Sequence, residues 1–133
     1  MCGRFTYNLT WEQIVYLYNL TLQKQPPSNL RPRFNVCPTT TIDTIVGVNG
    51  GRELQPMRWG LIPNWAKDNK IGYSTFNARA DGVDTKPAFR GAWKAGRRCL
   101  IITDGFYEWR KSDKQPFAIA MGNRGLMTMA GLW

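Results

Sequence analysis

The sequence predicts an α+β fold in which antiparallel strands predominate, and three observations carry that reading. Strand-length apolar runs recur through residues 41–61 and 97–133, separated by the turn sequences NGG, KSDKQ and NRG. One stretch, residues 11–23, has helical periodicity and a helix start signal. No glycine-rich phosphate loop leads from a strand into a helix, so a nucleotide-cofactor fold is set aside.

Taken in order, residues 2–8 (CGRFTYN) read as a short strand. Thr10 and Gln13 stand three apart, the spacing of a capping box with Thr10 as N-cap. Leu9 and Ile14 fall where a hydrophobic staple sits, and Ile14, Leu17, Tyr18 and Leu22 follow a helical stripe, so a helix is expected over 11–23. Residues 24–41 (KQPPSNLRPRFNVCPTTT) hold four prolines among mostly polar residues and predict an extended surface loop. TIDTIVGV, NGG and RELQPMRWGL over 41–61 read as a hairpin with a glycine-rich turn. Residues 62–89 are expected to be irregular, and AFRGAWKAG at 88–96 a short helix ended by Gly96. Residues 97–110 read as one strand, with further strands at 116–122 and 126–133.

At 133 residues the chain makes a single domain, 1–133, with no internal repeat and enough length for a sizeable core. Eighteen Lys and Arg against nine Asp and Glu give a net charge of +9. Such an excess favours an anionic partner, nucleic acid before membrane surface, although simple solubility produces it too. Three cysteines, an odd number without close pairing, argue against a disulfide framework and for a reducing compartment. There is no histidine and no zinc spacing, so no metal or other cofactor is expected. Polar residues interrupt any signal-peptide core and no apolar run spans a bilayer, which predicts a cytoplasmic (nucleoid-associated) or nuclear protein, not a membrane protein.

Four stretches carry residues suited to chemistry. MCGR places Cys2 where removal of Met1 exposes an α-amine and a thiol on adjacent carbons; Cys2 is equally read as the buried start of a strand. FNARAD at 76–81 puts Asn77 and Arg79 two apart, on one side if the segment is extended. DGFYEW at 104–109 puts Glu108 beside Trp109 at a strand end. RWGLIPNWAKD at 58–68 places Trp59, Pro63 and Trp65 around a basic loop. Cys37 and Cys99 sit in apolar context and are expected to be buried and unreactive.

In this order MCGRF, FNVCP, RWGLIPNWA, NARAD and DGFYEW resemble the SOS response-associated peptidase (SRAP) family of abasic-site processing proteins, over essentially the whole chain. The resemblance implies a barrel-like, strand-rich fold with few helices. It also implies an enzyme that crosslinks itself to abasic sites in single-stranded DNA, a lyase-like activity with a historical peptidase label. An abasic sugar is partly a ring-opened aldehyde. An N-terminal cysteine amine attacks it to give an imine, and the thiol closes a thiazolidine. Amine and thiol titrate near about 7.7–8.0 and 8.5, so both are usable at neutral pH. By the resemblance, Glu108 is the acid/base carboxylate and Asn77 holds the cysteine end and the sugar. Arg4 and Arg79 would grip phosphates, Trp109 would stack on a base or sugar, and Trp65 with Pro38 would wedge a duplex end.

Two departures accompany the resemblance. The family pattern includes a downstream histidine that this sequence lacks, and the chain stops at MTMAGLW inside a strand-like run. The expectation is therefore a monomer that needs a further C-terminal segment, bringing strands and a histidine. Rival readings are a class II glutamine amidotransferase, which also begins Met-Cys-Gly, a true peptidase, and a non-catalytic single-stranded DNA-binding module.

Overall fold

The computed structural model describes residues 2–20, 30–123 and 125–133. Its elements are β1 (Arg4–Tyr7), α1 (Trp11–Tyr18), β2 (Arg33–Val36), β3 (Thr41–Val48), β4 (Gly51–Arg58), a 3-10 turn (Asn69–Tyr73), α2 (Arg90–Lys94), β5 (Arg98–Thr103), β6 (Gly105–Trp109), β7 (Pro116–Ile119) and β8 (Met127–Leu132). The strands form two four-stranded sheets, β2-β1-β6-β7 and β4-β3-β5-β8, with every pairing antiparallel. The strand-dominated α+β class is as the sequence predicts.

The core lies where the sheets meet. Phe5, Tyr7 and Val36 from the first sheet pack with Ile42, Ile45, Leu54 and Ile102 from the second. Helix α1 closes one side with Ile14 and Tyr18, both buried. Its start follows the sequence closely: the Gln13 N–H donates to Thr10 Oγ1 at 3.3 Å and the Thr10 N–H to Gln13 Oε1 at 2.9 Å. The β3–β4 hairpin turns on Asn49 (φ 48°) and Gly50 (φ 79°), the left-handed pair that matches strand twist. Pro56 is tolerated because β4 is an edge strand. The short helix ended by Gly96 (φ 69°) is α2.

Several boundaries differ from the expectation. The helix ends at Tyr18, because Asn19 turns left-handed (φ 49°) and its N–H caps the Val15 carbonyl; residues 21–23 of the expected helix lie outside the described residues. Leu17 falls off the buried stripe and is exposed. The opening strand is confined to Arg4–Tyr7. The expected loop 24–41 contains β2, which adds to the edge of β1 with Val36 opposite Phe5. Its flanking prolines, Pro32 and Pro38, fall outside the paired residues.

The largest correction is at residues 97–110, which are two strands in different sheets. The chain breaks at Asp104, where a hydrogen-bonded corner forms. Thr103 is fully buried, and its hydroxyl lies 2.8 Å from the carbonyls of both Thr6 and Gly105 while accepting the Gly105 N–H. The Thr6 hydroxyl donates to Asp104 Oδ1 at 2.6 Å. Strands that change sheet need such a corner. This one carries the chain from β5 in the second sheet to β6, directly beside β1. Among the described residues, no helix is long and apolar enough to cross a membrane.

Candidate functional site around Cys2

Strand β1 carries Cys2 in from its N-terminal side, and β6 runs antiparallel to it with Arg4 opposite Tyr107 and Phe5 opposite Phe106. Side chains alternate along a strand, so Glu108 shares the face of Phe106, the face that meets Phe5. Cys2 is half-buried, and its thiol donates to the Arg4 carbonyl at 3.3 Å. From a third direction, the Asn77 side-chain amide donates to the Cys2 carbonyl at 2.6 Å. Three residues far apart in sequence thus converge on one end of the first sheet.

Electrostatics tie Glu108 to the thiol. Burial pushes the Cys2 thiol up from its ordinary value, and the Glu108 carboxylate pushes it further in the same direction; the Arg4 carbonyl contact and the N-terminal charge act oppositely. Burial and the half-buried Glu108 carboxylate thus both favour the protonated thiol.

The segment that bears Asn77 is irregular yet firmly held. Trp59 is buried, and its indole N–H donates to the Phe76 carbonyl at 2.7 Å. Its ring stands edge-on to Phe5 (centroids 5.0 Å apart) and to Phe76 (5.8 Å). The Thr75 hydroxyl donates to the Leu61 carbonyl at 2.6 Å. Gly60 (φ 132°) lets the backbone pass so close to Gly72 that a Cβ there would lie 2.6 Å from the Gly72 oxygen. A cavity of about 600 Å³ opens beside this segment, and Cys2, Asn77, Phe76 and Trp59 contribute to a lining that is otherwise mostly apolar.

The other residues singled out from sequence lie around this centre rather than in it. Arg4 belongs to the opposite face of β1, with Tyr107 across from it, and its guanidinium donates to Asn35 Oδ1 at 3.0 Å. Trp109 is exposed and shares the alternation of Tyr107. Arg79 is exposed two residues after Asn77. Trp65 is exposed and its indole N–H donates to the Pro87 carbonyl at 3.3 Å, while Pro38 is half-buried in the turn after β2; no hydrogen bond or ring contact joins the two among the described residues. Trp59, expected around a basic loop, is a core residue. Cys99 is buried as expected and its thiol is pushed up to about 11 by burial, whereas Cys37 is only half-buried. Among the described residues no group of three or more Cys, Asp or Glu is placed to hold a metal ion.

The sequence matches the family model "SOS response associated peptidase (SRAP)" over residues 1–133. It is 41% identical to the abasic site processing protein YoqW of Bacillus subtilis, covering all of this chain and 60% of that protein. It is 30% identical to the abasic site processing protein HMCES of Rattus norvegicus over 90% of this chain and 40% of that protein. A crystal structure from Bacteroides thetaiotaomicron superposes with a TM-score of 0.79 at 25% identity, over 98% of this chain and 59% of that one. Another, from Bordetella bronchiseptica, gives 0.76 at 24% identity, over 99% and 63%, and speaks to the fold alone. The chain spans about three fifths of the length of the Bacillus relatives it matches.

Proposed function

Because this chain belongs to the SOS response associated peptidase family, we propose that it captures abasic sites in single-stranded DNA as a thiazolidine at Cys2, once Met1 has been removed. The observation that carries the reading is the 2.6 Å hydrogen bond from Asn77 to the Cys2 carbonyl, with Glu108 on β6 within electrostatic reach of the thiol. Relatives named as abasic site processing proteins supply the substrate class.

The residues fit the order of steps. The freed α-amine of Cys2 adds to the sugar aldehyde and water leaves, giving an imine. The thiol then adds to the imine carbon and its proton passes to the imine nitrogen, closing the ring; the sum is aldehyde plus aminothiol to thiazolidine plus water. In this order the amine acts first and sulfur second, so the thiol proton leaves only as the ring closes. Glu108 accepts the thiol proton as sulfur attacks and returns it to nitrogen. Asn77 fixes the Cys2 backbone, so that amine and thiol face the aldehyde together. Around this centre Arg4 and Arg79 take flanking phosphates, Trp109 stacks on the exposed sugar or base, and Trp65 and Pro38 bound the strand's path. The net charge of +9 supplies the long-range attraction.

The test is denaturing electrophoresis after mixing the Met1-processed protein with abasic single-stranded DNA. A stable adduct is expected. Cys2→Ala abolishes it, Cys2→Ser leaves only an imine trapped by borohydride, and an uncleaved N-terminal tag blocks both. Stable adducts formed by a tagged protein would refute the mechanism.

A further inference from the structure

We propose that Trp59 is a positioning residue for Cys2, acting through Phe76 and Asn77. The proposal deepens the thiazolidine reading and rests on it for its kinetic consequence, though not for its geometry.

Trp59 is held on both sides of its own backbone. Its N–H donates to the Thr40 carbonyl at 2.9 Å, and its carbonyl accepts the Thr39 N–H at 2.7 Å. The indole is therefore fixed to the turn after β2 and wedged edge-on against Phe5 of β1. From that post its N–H reaches the Phe76 carbonyl at 2.7 Å, and its ring meets the Phe76 ring at 90°. The next residue is Asn77, whose amide donates to the Cys2 carbonyl at 2.6 Å. Residues 76–79 have no strand or helix to set their backbone. Each of the two hydrogen bonds fixes one end of a single peptide step, so Asn77 reaches Cys2 from a place that Trp59 determines. Phe5 closes the circuit, since it lies three residues from Cys2 on the strand that carries it. A buried tryptophan usually finds some partner for its indole N–H. Here the polar edge of the ring is spent on the one carbonyl that precedes the residue touching the nucleophile.

The test pairs a DNA-independent readout with a kinetic one. In ¹⁵N-labelled protein the Asn77 side-chain amide signals report its hydrogen bond to Cys2. Trp59→Phe keeps one aromatic ring in the core and removes the donor together with the second ring. Benzothienylalanine at position 59 removes the donor with the bicyclic ring kept, so an effect of the donor is one that both variants show. Trp59→Phe is expected to move the Asn77 amide signals to those of a free carboxamide. It is also expected to slow adduct formation about tenfold, the worth of one positioned hydrogen bond, while single-stranded DNA affinity holds. Combined with Asn77→Ala it should add no further loss, because both act along one path. Tyr18→Phe, which removes the part-buried 2.6 Å hydroxyl contact with Thr128, perturbs the core away from this path and should leave both readouts unchanged. If Trp59→Phe fails to fold, the benzothienylalanine variant carries the test alone. Unmoved Asn77 signals, or losses that multiply in the double variant, would overturn the proposal. An unreactive parent protein would refute the thiazolidine reading, and the amide signals would still decide whether Trp59 positions Asn77.

Discussion

Replacing Gly60 with alanine tests how tightly the segment behind the site is built. Two costs arise at once. The backbone at Gly60 has φ 132°, a conformation that costs an L-residue about 1–3 kcal/mol. The new methyl would also lie 2.6 Å from the Gly72 oxygen and 3.0 Å from its Cα, both backbone atoms that no rotamer change can move aside. Overpacking of that kind costs about 1–3 kcal/mol more. A loss of about 2–6 kcal/mol is a large part of the roughly 5–15 kcal/mol that holds a domain folded, and at about 4 °C per kcal/mol it lowers Tm by roughly 8–24 °C. Two other glycines separate the terms. Gly50 has φ 79° with nothing within 4 Å of an added Cβ, so Gly50→Ala should cost only about 1–2 kcal/mol. Gly91 lies in α2 with open space around it, and Gly91→Ala should gain about 0.5–1 kcal/mol. Thermal and urea unfolding followed by circular dichroism rank the three. Equal losses for Gly60→Ala and Gly50→Ala would show that the Gly60–Gly72 approach exerts no steric constraint.

Glu108→Gln should slow adduct formation by about 10²–10⁴-fold with fold and DNA affinity kept. Removing the carboxylate should also lower the Cys2 thiol pKa, seen as faster iodoacetamide alkylation at a given pH; slower alkylation would separate Glu108 from the thiol. Asp43 is buried beside Arg33, its Oδ1 has no hydrogen-bond partner among the described residues, and burial raises its carboxyl above the ordinary value. The native state therefore holds this proton more tightly than the unfolded chain, so Asp43 costs stability as pH rises from its unfolded value near 3.8 through its raised folded one. Asp43→Asn should raise Tm at pH 7 and make little difference below pH 3.8, and a uniform destabilisation at both would contradict the assignment.

What could be read from sequence was what short segments decide for themselves. The capping box at Thr10 and Gln13 and the Asn49–Gly50 turn are local hydrogen-bonding and dihedral preferences, and both appear where the pattern places them. Strand β2 was hidden because half of its residues are exposed and prolines flank it; only its partner β1 makes it a strand. The break at Asp104 was hidden because apolar residues continue on both sides, while the corner depends on Thr6, almost a hundred positions away. Residue type and motif singled out Cys2, Asn77 and Glu108, but nothing in the sequence joined Trp59 to Phe5 and Phe76. An indole in a basic stretch looks exposed until the fold places Phe5 and Phe76 against it.

The pairing of β1 with β6 also sets a timetable at the ribosome. Arg4 lies opposite Tyr107, and Asn77 must be present before Cys2 can be held. At about 5–20 residues per second, β6 follows β1 by roughly 5–20 s of translation. Throughout that interval the amino end lacks its β6 partner and is open to methionine aminopeptidase. Once β6 docks, the same peptide bond joins Met1 to a half-buried Cys2. On the proposed mechanism, removal of Met1 is therefore expected on the nascent chain, and a producing cell short of aminopeptidase is expected to accumulate folded protein blocked at the Cys2 amine.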